Sequence, residues 1–173
     1  MSATDIGQLV LRAALGVVFL AHGYNHIFGG GKIAGTIRWF GSLGMRPAVV
    51  HGWMASLVEL GAGVLLLLGL ATPLACAAVV GTMVVAWVTN HRKNGFFIFR
   101  PGEGYEYVMT LTLAAVALSG IGAGRISLDH ALGWFEPPGW IGLGLGAAGA
   151  VAAAALLAVS WRPAPKNPDV DGL

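Results

Sequence analysis

The chain has 173 residues, of which 56% are hydrophobic and only 10% are charged, with a formal net charge of +2. Soluble domains carry about 25% charged residues, so this composition excludes a water-soluble globular protein, and its hydrophobicity excludes a disordered one. The basic residues are scattered beside apolar segments, which excludes a nucleic-acid-binding patch. The sequence therefore predicts an all-α integral membrane protein in contact with the lipid bilayer.

Five apolar stretches are long enough to cross about 30 Å of hydrocarbon as helices. In chain order they cover residues 6–28, 53–70, 73–90, 105–121 and 140–161. Helices are required because backbone groups in lipid must form their hydrogen bonds within the segment. Only Ala71 and Thr72 separate the second span from the third, which predicts an antiparallel hairpin.

The loop after the first span predicts a short amphipathic helix on the membrane surface. Three glycines end the first span, and apolar residues then recur at helical spacing next to Trp39, at Ile33, Ile37 and Phe40. In the last loop, Ser127-Leu128-Asp129 predicts another helix start. We expect Asp129 to act as a capping residue or to interact with the helix dipole, with no further partner cluster in that loop.

Basic residues predict the orientation in the membrane. One side of the predicted spans holds eight of them: Lys32, Arg38, Arg46, Arg92, Lys93, Arg100, Arg162 and Lys166. The other side holds only Arg125. The positive-inside rule then predicts a multi-pass protein of the inner (plasma) membrane, with its N-terminus outside and its C-terminus cytoplasmic.

A few ionisable residues lie inside or beside the predicted spans, where a charge is costly and usually faces the protein interior. Glu59 shares one face of the second span with Gly52, Ser56 and Gly63, at helical 4-3-4 spacing. Glu106 begins the fourth span. Arg12 lies nearer the outer end of the first span, and we expect it to extend towards the outer surface rather than meet Glu59.

Histidines fall in the same membrane half as Glu59. Spacing of 3-4-3-4 predicts one face of the first span for Arg12, Leu15, Phe19, His22 and His26. Alternation of the spans adds His51, His91 and Glu106 to the cytoplasmic half. Such a polar pocket could bind a quinone head group, relay protons or ligate a metal. Alternatively, the histidines lie at the headgroup level and Glu59 pairs with Arg12 or a hydroxyl.

Metal and haem binding are not favoured by the sequence. The spacing His22-x-x-x-His26 is a weak metal signal on its own, and there is no CxxCH motif for haem attachment. Cys76 is the single cysteine, so no intramolecular disulfide can form, and we expect a small packing residue there.

Several ordered motifs resemble the DoxX family of small bacterial membrane proteins. They are Leu15-Gly16, Phe19-Leu20-Ala21-His22-Gly23, Trp39-Phe40, Leu43-Gly44, Glu59-Leu60-Gly61-Ala62-Gly63, Leu66-Leu67-Leu68-Gly69, His91, Gly95-Phe96-Phe97, Glu106-Tyr107 and residues 122–129. The resemblance covers roughly residues 9–130. It implies a four-helix transmembrane bundle, to which this chain adds a fifth, C-terminal transmembrane helix.

The corresponding domain boundaries are 1–135 for the four-helix unit with its loop helices, 136–162 for the added helix, and 163–173 for a disordered tail. Members of the family include a subunit of thiosulfate:quinone oxidoreductase. The resemblance thus implies a subunit or accessory of a quinone-linked or thiol/oxidative-stress redox complex, with redox protein partners and a possible quinone ligand. Whether the chain is itself an enzyme stays open.

The family motifs include His22, Glu59, His91 and Glu106, which are the first candidates for ligand binding. His26, Arg12 and His51 are secondary candidates, and His26 stands where many members have lysine. The rival hypothesis is a non-enzymatic scaffold or assembly factor for partner proteins, since distant members act in assembly and trafficking. It draws on the fifth span, where small residues at Gly142, Gly146 and Gly149 favour close helix packing, within the bundle or in a homo-oligomer.

Overall fold

The protein is a bundle of antiparallel and parallel helices, known here from a computed structural model that describes residues 1–137 and 139–163. These residues form no β-strand, and the helices are α1 (Ala3–Phe28), α2 (Lys32–Ser42), α3 (Ala48–Leu68), α4 (Thr72–Thr89), α5 (Glu106–Ile121), α6 (Leu128–Leu132) and α7 (Gly139–Ser160), with a 3-10 turn at His91–Lys93. Apart from Pro163, the predicted disordered tail lies outside the described residues.

The long helices match the predicted spans. By length and composition, α1, α3, α4 and α7 can each cross a membrane, whereas α5 is apolar but has 16 residues, which is about 24 Å. Helix α3 begins at Ala48, earlier than predicted, because Pro47 takes the extended N-cap position and the helix follows it directly. The fold is thus that of an all-α membrane bundle.

Glycines bring α1 and α3 into close antiparallel contact. A Cβ at Gly63 would lie 2.9 Å from the Gly16 carbonyl oxygen, and a Cβ at Gly23 would lie 3.0 Å from the Ser56 carbonyl oxygen. Small residues at such contacts let helix backbones pack closely in lipid, where apolar burial gives no net drive to association. The contact brings the polar face of α3 against α1, and the predicted face of Gly52, Ser56, Glu59 and Gly63 is confirmed as buried.

Helix α7 packs on the outside of the bundle, along the groove between α4 and α5. Its buried face consists of Gly142, Gly146, Gly149, Ala153, Leu157 and Ser160. Ser119 of α5 donates a hydrogen bond to the Gly142 carbonyl, and the backbones of Gly81 and Gly149 approach each other closely. The glycines that gave the scaffold hypothesis its main sequence support therefore serve packing within one chain.

The predicted amphipathic helix is present as α2. It lies across the ends of α1 and α3, with Thr36 and Phe40 buried, and Ile37 fills the space beside Gly52. The second loop helix is also present, because Ser127 accepts a hydrogen bond from the backbone N–H of His130 at 3.2 Å and caps α6. Cys76 is fully buried, as expected of a packing residue.

The contact between α1 and α3 predicts a sharp difference between two neighbouring glycines. Gly63→Ala places a methyl group against the Gly16 carbonyl and the Leu20 backbone, whereas the same change at Gly61 meets open space. We expect Gly63→Ala to lower the free energy of unfolding by about 1–3 kcal/mol through overpacking. Gly61→Ala is the matched control and should be neutral or slightly stabilising, since alanine favours helix. Equal thermal unfolding temperatures for the two variants in detergent would contradict the predicted contact.

Candidate functional site

The buried carboxylate of Glu59 is the centre of the candidate site. Glu59 lies in the middle of α3 and faces α1, and its side chain is 7% exposed. Ser56, one turn away, donates its hydroxyl at 2.7 Å to the Gly52 carbonyl of its own helix, so it leaves the carboxylate free. No described residue donates a hydrogen bond to Glu59 Oε2. The carboxylate is therefore buried in the protein, and its Oε2 can still accept a hydrogen bond.

His26, near the end of α1, is the residue that contacts this carboxylate. Its Nδ1 lies 3.1 Å from Glu59 Oε2, which is within ion-pair distance. The orientation is not that of a hydrogen bond, and neither atom finds another hydrogen-bond partner among the described residues. Imidazole and carboxyl groups each donate or accept according to their protonation, so the pair can both donate hydrogen bonds to a ligand and accept them from it.

Helix α2 covers the His26 side of the pair. The Trp39 and Phe40 rings lie 6.4 and 6.5 Å from the imidazole, with Phe40 edge-on. The Thr36 hydroxyl donates to the His26 carbonyl at 2.8 Å. Between the end of α1 and α2 runs a cleft of about 320 Å³, which reaches His26 and is lined by Asn25, His26, Gly30, Gly31, Lys32, Gly35, Thr36 and Trp39. The cleft gives a ligand head group a way to the imidazole.

His22 lies one helical turn from His26 but on the exposed surface of α1. The Tyr107 hydroxyl of α5 is 3.4 Å from His22 Nε2, and the two rings stack with their centres 6.0 Å apart. The buried face of α1 continues from Phe19 through Gly23 instead. Tyr107 is thus a polar neighbour that the spacing argument missed, although it stands in the Glu106-Tyr107 motif.

The other candidates of this half bind the loops around the site rather than Glu59. His51 is buried, with Nε2 at 3.2 Å from the Arg46 carbonyl oxygen. His91 Nδ1 lies 2.9 Å from the Glu103 carbonyl oxygen, and Glu106 accepts a hydrogen bond from the Ile98 backbone N–H at 3.2 Å. None of the three makes a polar contact with Glu59 in the described chain. They fix the connections at the end of the bundle where the site lies.

Arg12 lies in the opposite half of the bundle, and the prediction that it extends towards the surface is wrong. The residue is 1% exposed. Its guanidinium donates to the Leu66 carbonyl at 3.2 Å and to the Ile126 carbonyl. Gly69 leaves room for this, because a Cβ there would collide with the guanidinium. These two backbone carbonyl groups accept the hydrogen bonds that the guanidinium would otherwise form with water at the membrane surface.

Asp129 is the second residue of this opposite cluster, and the expectation that its loop offers no partner cluster is wrong. It is fully buried, and its two carboxylate oxygens accept hydrogen bonds from the backbone N–H groups of Ala71 at 2.7 Å and Thr72 at 2.9 Å. Asp129 is indeed a capping residue, but it caps α4 rather than its own helix α6. This partnership spans 58 residues of sequence, so local patterns could not reveal it.

An apolar layer separates the two polar clusters. Leu15, Phe19, Ala62 and Leu66 lie between them along α1 and α3, and all are buried in the main core. Arg12 and Asp129 form four hydrogen bonds to backbone groups, and of these two side chains only Arg12 Nε lacks a partner among the described residues. In the His26–Glu59 pair, the two atoms that face each other both lack a hydrogen bond, and His26 borders a cleft. Among the described residues, no group of three or more His, Cys, Asp or Glu side chains has metal-binding geometry. The half that contains Glu59 is therefore the candidate functional site.

Fold and site together define a small multi-helix membrane protein with a buried His26–Glu59 pair, of which His26 borders a cleft between α1 and α2. The chain belongs to the DoxX family, whose model matches residues 7–92, from α1 to the 3-10 turn. A Bacillus subtilis (strain 168) protein named "Putative oxidoreductase CatD" is 33% identical over 116 residues, which is 67% of this chain and 81% of that relative. No solved structure matches the chain. The family match contains His22, His26, His51, Glu59 and His91, and it ends before Glu106 and α7.

The capping of α4 by Asp129 predicts a large effect from a change of charge alone. Asp129→Asn keeps the shape, but turns an amide NH2 towards one backbone N–H and leaves Arg12 without a nearby negative charge. A hydrogen bond to a charged group contributes about 1.5–3 kcal/mol, so we expect at least that loss in the free energy of unfolding. Glu136→Gln is the control, because Glu136 is a half-exposed carboxylate in the same part of the molecule. If thermal unfolding in detergent is the same for both variants, the capping role is refuted.

Proposed function

We propose that this DoxX-family membrane protein is a subunit or accessory of a quinone-linked or thiol/oxidative-stress redox complex. In this proposal the His26–Glu59 pair binds the polar head of a membrane-soluble redox ligand. The observation that carries it is the buried Glu59 Oε2, which has no hydrogen-bond partner among the described residues and lies 3.1 Å from His26 Nδ1, beside a cleft that reaches the imidazole. An ionisable residue inside a membrane protein is a functional-site hypothesis by default. The name of the Bacillus subtilis relative, an oxidoreductase, agrees in class.

A quinone suits this site because its ring oxygens accept hydrogen bonds and its tail is apolar. Reduction of a quinone to a quinol takes up two electrons and two protons. Glu59 and His26 supply or accept protons at the head group, and a partner redox protein supplies or accepts the electrons. His22 and Tyr107 extend the polar surface towards α5, while His91 and Glu106 hold the loop that borders it.

The cleft argues for approach from one membrane surface. It lies at the end of the bundle where α2, the segment after α4 and the end of α7 meet, and it carries Trp39 and Lys32. Aromatic and basic side chains are enriched at the membrane–water interface. The buried apolar layer of α1 and α3 leaves no polar path from Glu59 to the Arg12 cluster in the described residues, which argues against a solute carrier. The proposed ligand therefore enters and leaves either sideways from the lipid or from the membrane surface at the cleft-bearing end of the bundle.

Binding of the reduced ligand, a quinol analogue, should depend on the Glu59 carboxylate. We expect Glu59→Gln to weaken binding of a short-chain ubiquinol analogue about tenfold, because the quinol hydroxyl no longer donates its hydrogen bond to a charged group. Glu103→Gln is the matched control, because Glu103 is an exposed carboxylate at the same end. Binding is measured by titration in mild detergent, alongside mass spectrometry of co-purified small molecules. Equal affinity of the Glu59→Gln variant and the wild-type protein would refute the role of Glu59.

The proposed orientation has the N-terminus outside, in an inner (plasma) membrane. Lys32, Arg38, Arg46, Arg92, Lys93, Arg100 and Arg162 all lie in segments at the end of the bundle that bears the cleft. By the positive-inside rule that end is cytoplasmic. In a Cys76→Ala background, Glu136→Cys should react with an impermeant maleimide in intact cells, and Lys93→Cys only after permeabilisation. The reverse labelling pattern would refute this orientation and indicate that the N-terminus is cytoplasmic.

A further inference from the structure

We propose that the C-terminal end of α7 is a clasp that holds α2 closed over the His26–Glu59 site, with Trp161 as the positioning residue. The proposal rests on the proposed function only in treating His26–Glu59 as a ligand site. It assigns a role in that site to a helix outside the matched family region of residues 7–92. It is carried by a continuous series of contacts from Trp161 to Glu59.

The clasp itself joins the end of α7 to the elbow between α2 and α3, residues 43–46. The Arg46 backbone N–H donates to the Ser160 carbonyl at 2.8 Å, and the Arg162 N–H donates to the Gly44 carbonyl at 2.7 Å. This pairing forms an isolated antiparallel bridge between Met45 and Trp161. At Gly44, φ is +88° and a Cβ would lie 2.7 Å from the Arg162 carbonyl oxygen, so both the turn and the close approach require glycine.

Trp161 adds side-chain contacts to this backbone pairing. Its indole N–H donates to the Leu43 carbonyl at 2.9 Å, directly beyond the last turn of α2. The Arg92 guanidinium lies over the Trp161 ring, 5.6 Å from its centre, so the segment after α4 joins the same assembly. A cation over a tryptophan face is attractive, more so where water is scarce. One side chain thus links the end of α7 to the residues that directly follow α2 and α4.

A small apolar cluster carries the connection from the clasp to the site. Phe40, Met45 and Leu157 are buried together, with Trp161 packed against them, and Met45 is fully buried. Phe40 also presents its ring edge to His26, whose Nδ1 faces Glu59. Because close-packed side chains transmit displacement, release of the α7 end would let Phe40 and α2 move away from His26.

The other attachment of α2 allows such movement. Residues 29–31 are three glycines between α1 and α2, and α2 has no side-chain cap at its N-terminus. Gly30 has no atom within 4 Å of where a Cβ would be, so this connection is not packed against the bundle. Besides the Thr36 hydrogen bond to the His26 carbonyl and the packing of Ile37 beside Gly52, the elbow held by α7 is therefore the main anchor of α2.

The test measures exposure of His26 directly, without any ligand. Diethylpyrocarbonate labelling with mass spectrometry gives the modification of His26 relative to exposed His22 in the same molecule. Trp161→Phe keeps a six-membered aromatic ring for packing and removes the pyrrole part of the indole with its N–H, so its folding should be preserved better than that of Trp161→Ala. We expect this variant to raise the His26-to-His22 ratio about fivefold, as loss of one net hydrogen bond shifts an opening equilibrium. Trp161→Ala should raise it further.

Trp140→Phe is the matched control, because Trp140 is 74% exposed at the other end of α7. It should leave the ratio unchanged. An unchanged ratio in Trp161→Phe would overturn the clasp, and so would an equal rise at His22 and His26, which indicates general loosening. If Trp161→Ala fails to fold, Trp161→Phe alone decides.

A cross-link identifies α2 as the moving element. A Cβ at Gly41 in α2 would lie 3.5 Å from the Ala48 Cβ in α3, within the range for a disulfide. In a Cys76→Ala background, the Gly41→Cys/Ala48→Cys disulfide should restore His26 protection to Trp161→Phe, and reduction should remove it again. Failure to restore protection would refute the α2 mechanism. If the wild-type protein does not bind the quinol analogue, the proposed ligand is refuted. The labelling result does not depend on that ligand and still tests the clasp.

Discussion

In a membrane protein, every buried polar group must find its partner inside the protein, and the rest of this structure depends on that constraint. The chain meets it differently at its two ends. Arg12 and Asp129 form four hydrogen bonds to backbone groups, which join helices to the segment after α5, and of their side-chain atoms only Arg12 Nε lacks a partner in the described residues. Glu59 is buried and His26 is mostly buried, and among the described residues their facing atoms contact each other at an angle that leaves both without a hydrogen bond. The first pair stabilises the fold, and the second keeps the bonding capacity on which the proposed ligand site rests.

Close helix packing makes this contrast possible. Gly16, Gly23 and Gly63 bring α1 and α3 near enough for the carboxylate to face α1 rather than lipid. Helix α7 also packs through glycines, against α4 and α5. Its C-terminal end then reaches the elbow after α2. The helix added beyond the family match is thereby an integral part of the bundle. Helix α7 thus connects the side of the bundle formed by α4 and α5 to the elements that cover His26.

Periodicity and hydropathy could predict the spans, the amphipathic α2, the α6 start at Ser127 and the buried face of Glu59, because each depends on local sequence. They could not predict the partners. His22 and His26 both fit the spacing argument, but the buried face passes through Gly23, and only His26 reaches Glu59. Arg12 and Asp129 acquire their partners through contacts more than 50 residues apart, 54 for Arg12 with Leu66 and 58 for Asp129 with Ala71. A pattern in one segment carries no information about such pairings.

The separation of the two clusters also bears on how such a protein can work. A carrier or proton channel needs polar groups along the whole path, whereas here buried apolar side chains of α1 and α3 fill the middle. The polar pair is instead near one end, beside a cleft whose walls come partly from an interfacial helix. A ligand with an apolar tail can stay in the lipid while its head reaches His26. In the proposed mechanism, exchange of such a ligand requires movement of α2 and leaves undisturbed the Arg12 and Asp129 hydrogen bonds at the other end of the bundle.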